Sequence, residues 1–157
     1  MSEKIVSKLR GLAQLDVDAI GTYDAAIARV TDEEVATQLA SFRVDHVRHV
    51  QDLNALIQKL GGAQVSQTPD LKGVALTGMT MVTSMMGTLS ALMAMVGNEE
   101  LTNRVYEAAL KLELGSEARE LVAKNYADER RHLAWIKSAL KIRLPLIGHR
   151  GHDAHAQ

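Results

Sequence analysis

The chain has 157 residues, enough for one domain with a buried core, and its 46% apolar and 24% charged content is that of an ordinary globular protein. A formal net charge of −1 leaves no electrostatic case for nucleic acid as a partner. The absence of cysteine excludes disulfides, thiolate metal sites and thiol catalysis.

The N-terminus, MSEKIVSKLRGLAQLD, mixes charges into a helical period and lacks a secretory hydrophobic core, so a cytoplasmic protein is expected. Prolines occur only at 69 and 145 and aromatic residues are scarce, which favours long helices over strands. Seam positions step by threes and fours through Ile5, Leu9, Leu12, Asp16, Ala19, Tyr23, Ile27 and Val30, predicting a helix over 3–30. Thr31 and Glu34 are spaced as a capping box for a second helix. That helix runs through Val35, Leu39, Phe42, His46, His49, Leu53 and Leu56 and stops at Gly61-Gly62. A polar connection over 61–72 follows, then a Met-rich apolar stretch leads into a third helix with Leu92, Val96, Glu99, Tyr106 and Leu110 on its seam. After a turn at Gly115-Ser116, a fourth helix carries Ala118, Val122, Asn125, Glu129, His132 and Ile136 until Pro145. The expected organisation is all-α: a four-helix bundle over 1–144 and a disordered tail over 145–157. His149, His152 and His155 in that tail are read as solvated, with a loose metal site as the alternative.

Residues 73–98 contain no charge and exceed the ~18 residues that mark a membrane candidate. Their Gly, Ser and Thr content and the lack of flanking basic clusters favour a crossover and a buried helix, with an oligomer interface, over membrane association. Met79, Met81, Met85, Met86, Met93 and Met95 are read as adaptable core packing.

The four helices read as two copies of one hairpin. Residues 22–57 slide onto 105–140 without gaps, and eight positions are identical. These include Tyr23 with Tyr106, Asp45 with Asp128, Arg48 with Arg131 and His49 with His132, so DHVRH at 45–49 becomes DERRH at 128–132. The same offset pairs Asp16 with Glu99. At ~1.5 Å per residue, Asp16 and His46 each lie roughly 21 Å from the first turn, so they are level; Glu99 and Glu129 repeat this around the second. Asp24 and Glu107 would sit about 12 Å nearer the loops. Asp16, His46, His49, Glu99, Glu129 and His132 therefore converge in mid-core, where burial is costly unless their charge is compensated. A metal ion is the simplest compensation, since carboxylate and imidazole suit iron, manganese or zinc, and Glu-x-x-His puts both donors on one helical face. The alternative is a network of ion pairs and hydrogen bonds among the same groups.

The paired hairpins, the DERRH motif and the Tyr seven residues after each seam acid resemble the ferritin-like superfamily, especially its small rubrerythrin-like and stress-associated bacterial branches, over residues 5–140. The resemblance implies a four-helix bundle with a long crossover between its second and third helices, around a carboxylate-bridged di-iron or di-manganese centre. Asp16 and Glu99 would be terminal carboxylates, Glu129 the bridging one, and His49 and His132 the imidazole ligands. Asp45 and Asp128 match carboxylates that orient a ligand histidine through its other ring nitrogen. His46 departs from the pattern, standing where a second bridging Glu is expected. Three first-rank carboxylates replace four, so a single ion, an asymmetric pair or zinc enters consideration, as does a His46 that turns outward and ligates nothing. The expected function is metal binding, with Fe(II) oxidation coupled to oxygen or peroxide detoxification and an external reductant, in a homo-oligomer. The competing reading is a non-catalytic interaction or membrane-associated bundle whose polar core is structural.

Overall fold

The computed structural model of the chain describes residues 2–68 and 87–144, which form four α-helices and no strand. These are α1 (Ser2–Arg29), α2 (Glu33–Lys59), α3 (Thr88–Leu110) and α4 (Ser116–Arg143). Each helix buries the stripe that recurs every three or four residues. On α2 that stripe is Val35, Leu39, Phe42, His46, His49 and Leu53, and on α4 it is Ala118, Val122, Asn125, Glu129, His132 and Ile136.

α1 packs against α2 and α3, and α4 packs against α3 and α2. The helix ends fix the topology. Thr31, just after α1, bonds Thr88 at the start of α3, and Arg143 at the end of α4 reaches Asp32 at 2.7 Å. At the other end Lys59 of α2 meets Glu117 of α4 at 2.8 Å. α2 therefore ends and α3 begins at opposite ends of the bundle, about 40 Å apart for a helix of 27 residues. This is the crossover connection expected from the sequence.

The start of α2 differs from the expected capping box. Asp32, not Thr31, is the cap, and its carboxylate accepts from the Val35 N–H at 3.2 Å. Thr31 is one residue too early, and its hydroxyl and N–H face Thr88 instead. α2 closes on Gly61, whose φ of +84° suits glycine, and Gly62, where an added Cβ would meet Val6 Cγ1 at 2.4 Å. Asn54 then pins the departing chain by bonding both backbone groups of Val65.

α3 departs from the expected face by one residue at two places. Met95 and Ala109 are buried, whereas Val96 and Leu110 are only half-buried. Met95 is core packing as expected, but Met93 is 45% exposed. Met79, Met81, Met85 and Met86, the Pro69 and Pro145 breaks, and the tail histidines lie outside the described residues. Among the described residues no helix is long and apolar enough to cross a membrane.

The apolar core is split in two. One cluster, centred on Leu12, Leu53 and Val122, fills the end near the α3–α4 turn; the other, centred on Leu39, Leu92 and Ile136, fills the opposite end. Between them lies a layer of buried ionisable side chains.

Candidate metal centre

That layer contains Asp16 from α1, His46 and His49 from α2, Glu99 from α3, and Glu129 and His132 from α4, all with no exposed surface. The structure brings together all six of the residues singled out in the sequence. Asp24 and Glu107, the acids nearer the loops, are exposed, and Asp24 pairs with Arg43 at 2.6 Å. His46 points inward: its Nδ1 is 2.7 Å from Asp16 Oδ1 and its Nε2 is 3.3 Å from Glu99 Oε1.

Each helix delivers its donors for a local reason. His46 and His49, like Glu129 and His132, are three residues apart and share a face, while Asp16 and Glu99 occupy seam positions facing them. Asn103, one turn after Glu99, donates to the carbonyls of Glu99 at 2.7 Å and Glu129 at 3.0 Å, locking α3 and α4 together at this level. Sequence reasoning missed Asn103; its signal was an amide four residues beyond a seam acid.

The surrounding hydrogen bonds cross between the two hairpins. Tyr23 of α1 donates to Glu99, and Tyr106 of α3 donates to Asp16. His49 Nε2 meets Asp128 Oδ2 at 2.9 Å, and His132 Nε2 meets Asp45 Oδ2 at 2.8 Å. Each Asp thus holds the histidine of the other hairpin rather than its own. With Nε2 donating to an acid, the neutral form of each ring carries its lone pair on Nδ1, which faces the cluster; without an ion, His49 Nδ1 instead donates to Asp16 Oδ1 at 3.1 Å. Arg48 and Arg131 bond Asp128 and Asp45 in the same crossed manner.

Burial and charge compete at each group. Burial pushes the Asp16 carboxyl up, but hydrogen bonds from His46 and His49 outweigh it and hold the group at about 2. Burial acts likewise on Glu99, which His132 and His46 nonetheless draw well below the usual carboxylate range. At Glu129 burial prevails and the carboxyl is raised. Burial lowers His49, yet its hydrogen bond to Asp16 and the negative charge of Glu129 lift it to about 10. His46 and His132 are also raised against burial, by the acids around them. Without an ion, ring protons supply the positive charge that these carboxylates require.

That compensation is incomplete in geometry. Both oxygens of Glu129, Glu99 Oε2 and His132 Nδ1 are buried without a hydrogen-bond partner. Glu129 Oε1 lies 3.3 Å from His49 Nδ1 and 3.4 Å from His46 Nδ1, and Oε2 lies 3.4 Å from His132 Nδ1, yet none forms a hydrogen bond. Donor atoms that converge without pairing are costly alone and suited to a shared cation. Two overlapping sets meet the spacing for an ion: Asp16, His46, His49 and Glu129, and His46, Glu99, Glu129 and His132, each with its ligand atoms within 4.8 Å of one another. The residues fit a divalent metal, and the cluster can hold one.

Residues 4–112 match the family described as "Domain of unknown function (DUF2383)", which is well over half of the chain. The chain belongs to that family. The match spans α1 to α3 and stops before α4, so Asp16, His46, His49 and Glu99 lie within it and Glu129 and His132 beyond it. No curated protein matches the chain.

Proposed function

We propose that this protein is a ferritin-like metal-binding protein whose buried site takes iron, as a di-iron or asymmetric pair or as one ion, and couples Fe(II) oxidation to the reduction of oxygen or peroxide. The observation that supports it is the set of fully buried donors that have no hydrogen-bond partner, flanked by histidines whose outward nitrogens are tied to Asp45 and Asp128. Three carboxylates and three imidazoles form a donor set for iron, manganese or zinc, and one without thiolate. Bound Fe(II) would supply the electrons, two ions furnishing the two needed to convert one peroxide and two protons to water.

The chain's own groups would do the rest. Asp16, Glu99 and Glu129 supply the negative charge, and Tyr106 and Tyr23 orient Asp16 and Glu99 by donating to them. Asp128 and Asp45 keep the His49 and His132 lone pairs inward. The apolar clusters above and below limit water at the site. Cysteine is absent, so a repeated cycle needs a reductant from outside the chain.

The test is reconstitution of the full chain, anaerobically, with Fe(II), Mn(II) or Zn(II), followed by elemental analysis. At least one ion per chain is expected, and Fe(II) in the protein should oxidise faster than Fe(II) in buffer. No bound ion after all three reconstitutions would defeat the metal reading. It would favour the second one, a structural ion-pair network in an interaction protein, which the 2.7 Å pair of His46 and Asp16 supports. Assembly with copies of itself in the cytoplasm is part of the proposal, supported by the exposed Met93 and Leu101 on α3. Fractionation and sizing of the untagged protein test both.

A further inference from the structure

His46 is where the two hairpins differ in the kind of donor they offer, and its ring addresses both ligand sets at once. Nδ1 lies 2.7 Å from Asp16 Oδ1 and 3.4 Å from Glu129 Oε1, on the side of the first set. Nε2, across the ring, lies 3.3 Å from Glu99 Oε1, on the side of the second. Glu129 divides in the same way, with Oε1 3.3 Å from His49 Nδ1 and Oε2 3.4 Å from His132 Nδ1. His49 and His132 cannot act so, because Asp128 and Asp45 occupy their Nε2 atoms and leave one inward nitrogen each.

We propose that His46 ligates two divalent ions at once, one through each ring nitrogen, as a bridging imidazolate. The inference rests on reading the cluster as a metal site and specifies its form. A neutral imidazole has one nitrogen with a free lone pair and one N–H. Coordination at both nitrogens breaks that N–H bond; the proton passes to solvent, and the electron pair left on the ring forms the second metal–nitrogen bond. No electrons are transferred. The ring then carries one negative charge, so His46 and Glu129 together match the charge of the two carboxylates that the duplicated pattern leads one to expect. What changes is the donor atom. Each position gains a second nitrogen, His46 with His49 in one and His46 with His132 in the other, which moves the preference of the pair towards zinc, copper or iron and away from manganese.

The bridge is tested without reference to activity. The full chain, labelled with ¹⁵N in its histidines, is saturated with Zn(II), the metal content is measured, and each ring is assigned by ¹⁵N NMR. Two zinc ions per chain are expected. His49 and His132 should each keep one N–H, at Nε2, while His46 shows two metal-bound nitrogens and no N–H. Two bound ions with an N–H retained on His46, or one bound ion, would overturn the bridge and leave the metal reading standing. Absence of any bound zinc, iron or manganese would sink both. As an independent check, wild type and His46→Gln are loaded with Cu(II): exchange coupling between ions should be present in the first and changed in size in the second, where Glu129 alone links the two positions. Coupling of the same size in both, at two ions per chain, assigns the link to Glu129 alone and refutes the bridge. If that variant does not fold, the N–H count in the wild type decides.

Discussion

The hairpins α1–α2 and α3–α4 place the same kinds of residue at the same level, yet neither builds a complete ligand set. Asp16 and His49 of the first are steadied by Tyr106 and Asp128 of the second, and Glu99 and His132 of the second by Tyr23 and Asp45 of the first. Each half of the cluster is thus assembled from both hairpins, so the site exists only in the packed bundle. The difference between the hairpins lies on the shared axis and beside it. His46 faces Glu129 across the offset of 83 residues, and Phe42 faces Asn125. Phe42 packs its ring 4.3 Å from His132, giving that half an apolar wall, whereas the buried Asn125 has an Nδ2 without a partner. A repeated backbone has thereby become two unlike chemical environments.

The most severe way to break this comparison is to remove the group that both halves share through oxygen. Glu129→Gln is expected to abolish metal binding at both positions, whereas His49→Ala and His132→Ala should each empty one. Elemental analysis after anaerobic reconstitution decides, and a Glu129→Gln protein that still holds two ions would show that the halves are independent. The variant should fold, because both Glu129 oxygens are buried without hydrogen bonds and a neutral amide lowers the cost of burial there.

The next contrast is between the protonated and the metal-bound cluster. His49 is raised from 6.5 to about 10 by folding, against burial, through Asp16 and Glu129. The stability it contributes to the metal-free protein is complete below pH 6.5 and is lost as pH rises through about 10. Asp16 is lowered from 3.8 to about 2, burial being outweighed by the two histidines, so its contribution is complete above pH 3.8 and lost as pH falls towards 2. Chelated protein should therefore melt at lower temperature on both sides of this window. Protein loaded with Zn(II) should escape the alkaline loss, since the ion replaces the ring protons. Parallel alkaline declines in melting temperature with and without zinc would contradict that exchange.

The crossed supports sharpen the comparison further. Asp128→Asn and Asp45→Asn each remove a carboxylate from the outward nitrogen of one histidine, a change that typically costs ~10–100-fold in metal affinity. Asp128→Asn should weaken the position containing His49, and Asp45→Asn the one containing His132. Titration of Zn(II) against both variants, with the rings followed individually, checks the assignment. A loss on the same hairpin as the substitution, instead of the opposite one, would refute the crossed arrangement.

How far these features were legible follows from what spacing encodes. The six core residues could be found because they interrupt otherwise apolar seams at a constant offset, and helical rise alone places Asp16 level with His46. The crossing of Asp45 to His132 and of Asp128 to His49 was not legible, because it depends on how α2 and α4 pack and no spacing within one helix records that. The capping residue was misread by one position because Thr31 and Asp32 are both good caps and only the chain's path past Thr88 separates them. The face of α3 was misread at Val96 and Met93 because residues 88–98 carry no charge, so its periodicity has no polar side to give contrast. The reading of the residues beyond 144, including His149, His152 and His155, lies outside the described residues.

The smallest effect is expected at the outer rim, where Arg48 and Arg131 complete the crossed network. Arg131 donates to Asp45 at 2.6 Å and to Asp128 at 3.3 Å, and its guanidinium lies 5.6 Å from the centre of the Phe42 ring. Arg48 donates to Asp128 and, at 3.5 Å, to Asp45, but lies over no aromatic ring among the described residues. Both side chains are about half in solvent, with 51% and 40% exposed, so water and salt screen their ion pairs. Exposed pairs are worth ~0–1 kcal/mol, and a cation over an aromatic face adds ~0.5–1 kcal/mol. Arg131→Ala should therefore destabilise the bundle more than Arg48→Ala, at ~2–4 °C in melting temperature per kcal/mol for a chain of this size. Raising the salt concentration should shrink the Arg48→Ala effect towards zero while leaving part of the Arg131→Ala effect, because the packing against Phe42 is not ionic. Equal effects of the two variants at high salt would show that the apolar wall beside His132 gains nothing from Arg131, and that the two halves differ only at His46 and Asn125.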